Sequence, residues 1–480
     1  MATTALIGRL QEIKKLDKLV GSPKSEFLAV YGRRRVGKTF LIRAYFDKKF
    51  DFYATGLAKG NTQQQLTNFT VFINNSFQQD HAVPDNWLLA FNLLTKELER
   101  TQTDKKRVLF FDEMPWMDTK KSDFMMGLEF FWNAWASAQD NILLIVCGSA
   151  ASWMINNLIH NTGGLYNRVT ERLRLEPFTL RETEDYFAAK NIVIDRYQII
   201  QLYMVMGGVP YYLDQVEGGK SAMQNIEDLC FRNDGKLRKE FNFIFASLFR
   251  NAHKHAAVLQ TLFDKGGALT RDELIKHSNF SSGGSISKVL SELEESEFIT
   301  TFQKFGGQKS NLVYCISDFY TLFYFRFIQK AGKYEPNMWL NDIDNPVFRA
   351  WSGLAFEQIC FAHVAQIKHA LKIGAVSSTT YSWQTKGDAD TKGSQIDLVI
   401  DRRDQVINLF EIKYSINKIT ITKEYDAVLR HKIQSFRDAT ETKKSIFLTL
   451  LTTHGLKENE YSRSSIQNEL TMNDLFVLTD

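Results

Sequence analysis

The segment that most constrains this chain is Gly32-Arg33-Arg34-Arg35-Val36-Gly37-Lys38-Thr39, which meets the pattern G-x-x-x-x-G-K-[ST] at every fixed position. An apolar run rich in strand formers, Glu26-Phe27-Leu28-Ala29-Val30-Tyr31, lies just upstream, and Phe40-Leu41-Ile42-Arg43-Ala44-Tyr45-Phe46 downstream reads as helix. Strand, glycine loop and helix N-terminus in that order make a phosphate cradle. Glycines let backbone N–H groups close on an anion, and the helix dipole favours negative charge there. The expectation is nucleotide binding through Gly32, Gly37, Lys38 and Thr39, with the Thr39 hydroxyl also on Mg2+.

Composition narrows the class. A chain of 480 residues is long enough for about three domains, each with its own core. Its 44% hydrophobic and 24% charged residues are those of a globular protein. The 59 basic and 55 acidic residues leave only +4, so no global field points to nucleic acid or membrane. The small excess sits early: residues 1–170 hold 21 Lys and Arg against 16 Asp and Glu, whereas residues 351–480 hold 16 of each. Cys147, Cys230, Cys315 and Cys360 are far apart with no C-x-x-C spacing, and read as reduced core residues. No signal-peptide layout opens the chain, and its longest apolar runs are strand-sized, below the roughly 20 residues of a membrane span. A cytoplasmic protein is expected.

A second motif fits the first. Arg107-Val108-Leu109-Phe110-Phe111-Asp112-Glu113 is an apolar strand ending in two carboxylates, the layout of a Walker B segment. There Asp112 holds the hydration shell of Mg2+ and Glu113 orients or deprotonates the attacking water. The competing reading is an Asp-Glu pair capping a helix, since Pro115 follows. A third strand, Ile142 to Cys147, runs into Gly148-Ser149, where Ser149 either senses the γ-phosphate or caps a helix. Arg168, after Gly163-Gly164-Leu165-Tyr166-Asn167, either neutralises charge in phosphoryl transfer, in cis or across a subunit interface, or is a solvated arginine.

Taken together, these segments resemble the archaeal-type ATPase family, P-loop proteins related to the AAA and STAND classes. The resemblance runs from Leu6-Ile7-Gly8-Arg9 through the P-loop, Phe111-Asp112-Glu113, Cys147-Gly148-Ser149, Tyr166-Asn167-Arg168 and Pro177-Phe178 to Met206-Gly207-Gly208-Val209-Pro210-Tyr211-Tyr212. It implies that Gly8 and Arg9 lie near the adenine of ATP, and that the Gly-Gly-x-Pro segment belongs to a small helical lid over the nucleotide. The three arginines at 33–35 occupy variable positions of the loop. They read either as a solvated tip or as contacts to nucleic acid or a neighbouring subunit.

Residues 254–305 carry a helical pattern, a turn at Gly266-Gly267, a helix from about Thr270 and another over Ser285 to Glu295. Phe298 to Phe302, Gly306-Gly307 and Leu312 to Ile316 then read as a hairpin, which makes a winged helix. Such a domain can place its third helix in the DNA major groove. Residues 251–310 nevertheless hold seven basic and seven acidic side chains, with Glu292, Glu294, Glu295 and Glu297 at the end of that helix. Carboxylates repel phosphates, so a protein partner is as well supported as DNA. The aromatic run Phe319 to Phe327 reads as core.

The C-terminal stretch carries a second constellation. A helix holds Glu357, a polar loop runs from Thr385 to Ser394, and strands follow at Gln395 to Ile400 and Ile407 to Tyr414. Alternation along a strand puts Glu411 and Lys413 on one face. An Asp on one strand and a Glu-x-Lys on its neighbour is the arrangement by which PD-(D/E)xK nucleases hold Mg2+ and activate water. Asp397, Glu411 and Glu357 would be metal ligands and Lys413 would steady the nucleophile or the phosphate. The stretch is similar to the restriction-endonuclease-like domain that often ends archaeal-type ATPases. Gln395 departs from the acidic residue often found there, and Glu-x-Lys is also a common surface ion pair.

The expected fold class is multidomain α/β: a P-loop ATPase core with a parallel sheet (1–165), a helical lid (166–250), a winged-helix domain with an aromatic helix (251–345), and an α/β restriction-endonuclease-like domain (346–480). The expected activity is ATP hydrolysis with Mg2+, its nucleotide state controlling a nuclease-like domain that acts on nucleic acid. The rival is a STAND-like switch whose C-terminal domain binds nucleic acid or protein without cutting. Oligomers fit either reading.

Overall fold

The computed structural model describes residues 6–479, apart from 102, 161–162, 250, 267, 279–282, 304, 306–311, 333–336, 342, 344 and 386–392. Gly267, Gly306-Gly307 and most of the loop before Ser394 lie outside the described residues. The chain divides into two compact units, Met1–Pro177 with Glu295–Glu297, and Phe178–Glu294 with Phe298–Asp480.

In the first unit β1 (Glu26–Tyr31), β2 (Phe52–Thr55), β3 (Arg107–Asp112), β4 (Ile142–Cys147) and β5 (Glu171–Arg174) form one parallel sheet in the order β2-β3-β4-β1-β5. Every residue of β3 and β4 is buried, as expected where helices cover both faces of a parallel sheet. The two faces feed separate cores. Phe27, Ala29, Leu109, Phe111 and Leu144 pack on one side, and Leu28, Val30, Phe110, Leu143 and Ile145 on the other. β5 pairs with β1, so the unit runs on to Pro177, beyond position 165. β4 lies between β1 and β3. The C-terminal ends of these three strands therefore stand side by side, the edge at which open α/β sheets bind ligands.

The second unit opens with helices Leu180–Ala189 and Arg196–Met206. The first is fixed by a capping box in which Thr179 and Glu182 satisfy each other's backbone N–H groups. Between this helix pair and the strands that follow, Gly207 and Gly208 take φ of +60° and +68°. A Cβ on Gly208 would stand 2.0 Å from the Phe178 carbonyl oxygen, so the backbones meet where no side chain fits. Helix Ala252–Asp264, β6 (Ala268–Thr270), helices Arg271–His277 and Gly283–Glu295, then β7 (Ile299–Gln303) and β8 (Leu312–Ile316) come next. The strands pair antiparallel in the order β6-β8-β7. Within this element Glu292 is 2.7 Å from His255 Nε2, and Glu294 accepts from Thr301 Oγ1 at 2.7 Å. Two of the four clustered carboxylates are thus engaged inside the element rather than presented to a ligand. Tyr320, Phe323 and Phe325 are buried, and the aromatic run serves as core.

Helix Pro346–Ala362 leads into β9 (Ser378–Thr385), β10 (Ser394–Arg402) and β11 (Val406–Lys413), then β12 (Ile419–Thr420), helix Lys423–Thr440, β13 (Ser445–Thr452), β14 (Leu456–Lys457) and β15 (Asn468–Thr471). The main sheet has the order β15-β13-β11-β10-β9, with β9, β10 and β11 antiparallel and β11, β13 and β15 parallel; β12 pairs with β14. One face, with Val399, Leu409 and Leu450, packs with Leu429 and Phe436 of helix Lys423–Thr440. The other face, with Leu398, Phe410 and Ile412, joins a single core that runs from Phe178 to Phe476. The stretches 166–250, 251–345 and 346–480 share that core from Phe178 onward. His363 Nε2 accepts from the Leu180 backbone N–H at 3.0 Å, and Gln358 donates to the Ser317 carbonyl at 2.5 Å. Among the described residues no helix is long and apolar enough to cross a membrane.

Candidate functional site

The loop after β1 has the shape its glycines require. Gly32 takes φ +134°, and a Cβ there would stand 2.3 Å from the Leu175 carbonyl oxygen. Gly37, at φ +93°, leads into helix Lys38–Tyr45. Lys38 Nζ donates to the carbonyls of Gly32 at 3.0 Å and Arg33 at 2.8 Å. Burial pushes its pKa down from the ordinary lysine value. Arg9, itself buried at φ +60°, donates from Nη2 to the Val36 carbonyl at 3.2 Å. The Gly8-Arg9 segment therefore reaches the phosphate loop. Of the three loop arginines, Arg33 is buried and Arg34 and Arg35 are half-buried, so they do not form a solvated tip.

The ends of β3 and β4 close on the same place. Thr39 Oγ1 donates to Asp112 Oδ1 at 2.9 Å, and the Glu113 backbone N–H reaches the same oxygen at 3.1 Å. Burial raises the Asp112 pKa, and the Thr39 hydrogen bond opposes that. Glu113 has a left-handed backbone, φ +47°, and its Oε2 accepts from Ser149 Oγ at 2.9 Å. Asp112 thus spends its carboxylate on Thr39, Glu113 makes no side-chain cap for the turn Met114–Trp116, and Ser149 binds Glu113. The capping alternatives for these residues are not taken up. Arg168 is exposed, with no side-chain partner among the described residues. Sequence reading missed Arg43, whose guanidinium lies 4.8 Å from the centre of the Tyr53 ring and whose charge opposes the rise that burial gives the Asp112 pKa. The available signal was its i+4 spacing from Thr39 on one helix face.

A second cluster forms on the C-terminal sheet. Leu398 pairs with Phe410 across β10 and β11, and the register of β10 shifts between Ile396 and Val399, so Asp397 sits at an irregularity of its strand, beside the end of β11. Asp397 Oδ2 accepts from the Ile412 backbone N–H at 2.9 Å. Glu411 has three donors: Oε1 accepts from Lys413 at 2.9 Å and Tyr425 Oη at 3.0 Å, and Oε2 from Lys432 at 2.5 Å. Burial would raise the Glu411 carboxyl, yet the two lysines hold it below its ordinary value. Burial, then the neighbouring Glu411, pushes Asp397 up. Burial, with Asp397 next, pushes Glu357 up to about 8. The structure therefore brings Glu357, Asp397, Glu411 and Lys413 into electrical contact. Among the described residues no three His, Cys, Asp or Glu are grouped so as to hold a metal ion. Lys432 and Tyr425 were not singled out from the sequence. Their signal was a lysine and a tyrosine seven apart on the face of helix Lys423–Thr440 that buries Leu429 and Phe436.

Residues 6–216 match the model of a family described as ATPase domain predominantly from Archaea. An uncharacterized protein of Methanocaldococcus jannaschii is 22% identical over 413 residues, 85% of this chain and 87% of its own length. Among solved structures, a Walker-type ATPase of Pyrococcus abyssi aligns with a TM-score of 0.48 at 17% identity, over 67% of this chain and 96% of that one. A STAND protein of Pyrococcus horikoshii with a tetratricopeptide repeat sensor aligns with a TM-score of 0.30 at 13% identity, over 77% of this chain and 48% of that one.

Proposed function

We propose that this chain is a Mg2+-dependent ATPase whose nucleotide state controls a C-terminal nuclease-like domain acting on nucleic acid. The observation that carries the first half is the 2.9 Å bond between Thr39 and Asp112 at the N-terminus of the helix that begins with Lys38. A hydroxyl and a carboxylate set side by side suit Mg2+, which takes few protein oxygens and keeps several waters. When bound, that ion neutralises charge on the phosphates. Lys38 binds the β- and γ-phosphate oxygens, Glu113 orients the attacking water, and Ser149 holds Glu113 in place. Arg168 is a candidate finger toward a neighbouring copy.

In the second unit, the order helix, strand, helix, helix and hairpin between 252 and 316 supports the winged-helix reading. The sheet carrying Asp397, Glu411 and Lys413, with Glu357 on the preceding helix, supports the restriction-endonuclease-like one. Its all-oxygen donor set suits a hard cation, which would polarise a phosphodiester there. Both Glu411 oxygens have donors, three on about four lone-pair sites, so a cation there would share Glu411 with the lysines. The lysine pairing is equally compatible with a second reading, a STAND-like switch whose C-terminal domain binds without cutting.

A single assay separates the two. Labelled DNA and RNA, single- and double-stranded, are incubated with the full chain and Mg2+ or Mn2+, with and without ATP. Cleavage that disappears in Asp397→Ala, and whose ATP response disappears in Lys38→Ala, is expected. No cleavage of any form, or cleavage undiminished in Asp397→Ala, leaves the switch.

A further inference from the structure

The second unit holds a cavity of about 480 Å3, within the roughly 300–1,000 Å3 of small-molecule sites. Trp351, Leu354, Ala355 and Gln358 line it from one face of helix Pro346–Ala362, at the spacing i, i+3, i+4, i+7. Leu322 and Arg326, four residues apart in the aromatic run, line it as well. Trp351 is backed by Phe323, Phe327 and Phe348, with ring centres 5.3, 5.4 and 5.8 Å away, so that wall is firmly packed. Ala355 adds little bulk, and a Cβ on Gly266 would meet nothing within 4 Å, so the space stays open. Leu354, Asp264 and Gly266 are exposed and mark its mouth.

Two charged side chains face this space, and they differ in surroundings. Among the described residues Arg326 has no hydrogen-bond or ion-pair partner, and its Nε is shut off from water as well. A buried N–H left unpaired costs free energy that an incoming acceptor recovers. The planar guanidinium fork suits a carboxylate, which it can bind through two parallel bonds. Asp264, by contrast, is exposed and accepts from Gln260 Nε2 at 2.9 Å. The lining is therefore neutral in formal charge, with its cation partly dry and its anion in water. One negative group fits beside Arg326, whereas the acid at the mouth repels a polyanion such as a nucleotide or a nucleic-acid backbone. Gln358 has already given Nε2 to the Ser317 carbonyl at 2.5 Å, which leaves Arg326 as the donor that a ligand would meet.

We propose that this cavity binds an amphipathic monocarboxylate, its carboxylate on Arg326 and its apolar body against Phe263, Ile316, Leu322 and Trp351. Burial of that body supplies the non-directional part of the affinity, and the arginine fixes its orientation. The site rests on neither the phosphate loop nor the acidic cluster of the C-terminal sheet, so it stands or falls apart from the activities proposed for them.

The test compares one chain with and without its charge. Decanoate and decanol are titrated into the full chain by calorimetry at neutral pH, below the concentration at which decanoate forms micelles. Decanoate is expected to bind about tenfold or more tighter than decanol, the effect of a hydrogen bond between charged groups. Arg326→Met keeps the apolar stem without the fork, and is expected to bring decanoate down to the affinity of decanol while leaving decanol unchanged. Because no partner of Arg326 is lost, that variant without ligand is expected to melt no lower than wild type. Ala355→Phe fills the cavity and is expected to abolish binding of both. Should either variant not fold, Leu354→Asp, at an exposed position, is expected to weaken decanoate more than decanol. A wild type that binds no decanoate overturns the proposal. So does an Arg326→Met variant that keeps the difference between the two ligands, or one that melts lower with decanoate affinity unchanged, which would make Arg326 a structural residue.

Discussion

Ser149 and Glu113 are joined by a 2.9 Å hydrogen bond from hydroxyl to carboxylate across the ends of two paired strands. The bond fixes a glutamate whose backbone sits in the left-handed region at φ +47°, a conformation that surrounding contacts must hold. Glu113→Gln is expected to reduce ATP turnover by a factor on the order of 100 or more, the usual effect of losing a positioned base, with ATP affinity little changed. Ser149→Ala should cost about tenfold in turnover by loosening the same carboxylate. Steady-state turnover and calorimetric ATP binding on each variant check this; equal losses in affinity and rate would place both residues in binding instead.

Arg9 reaches the phosphate loop, donating to Val36 at 3.2 Å. Removing a buried hydrogen bond from a charged donor costs about 1.5–3 kcal/mol. Arg9→Ala should therefore weaken ATP about tenfold or more, and inorganic triphosphate by the same factor, because the loop and not the base is disturbed. An ATP-only loss would put Arg9 on the adenine, the role its family resemblance implies.

His363 is held neutral. Its Nδ1 lies 2.8 Å from the Ile359 carbonyl and its Nε2 accepts from the Leu180 N–H, so a second proton has no acceptor. Burial depresses its pKa from 6.5 to about 4. The unfolded chain binds that proton first, so the contribution of His363 is complete above pH 6.5 and is lost as pH falls to 4, on the order of 3 kcal/mol. Denaturant titrations of the second-unit transition between pH 4 and 7 should show stability rising with pH. His363→Gln should be less stable at pH 7 and flatter over that window. An unchanged slope in the variant would assign the acid sensitivity to other groups.

Gly208 admits no side chain. A Cβ would stand 2.0 Å from the Phe178 carbonyl oxygen at φ +68°, and the left-handed backbone alone costs about 1–2 kcal/mol for an L residue. Gly208→Ala should lower the stability of the second unit by more than that amount in denaturant melts, and Gly219→Ala, at φ +79° with nothing within 4 Å, by less.

How far the sequence was legible follows the distance over which each signal acts. The phosphate loop, β3 and β4 are contiguous patterns, and strand alternation alone put Glu411 and Lys413 on one face. Lys432 was not legible. Its partner lies 21 residues back on another element, and periodicity tells which face of a helix is apolar without telling what that face meets. The bond from Arg9 to Val36, 27 residues away, was out of reach for the same reason. Domain boundaries after Pro177 were the hardest to read. Each element announced its own apolar side, but nothing local announced that those sides would be pooled.

That pooling bears on how such a chain can be inherited. Recombination that exchanged the C-terminal sheet alone would strand Phe356, Ile359, Leu398 and Phe410 against foreign neighbours, since they belong to the core that includes Phe178 and Leu180. Such an exchange would keep its packing only if residues 178–480 moved together.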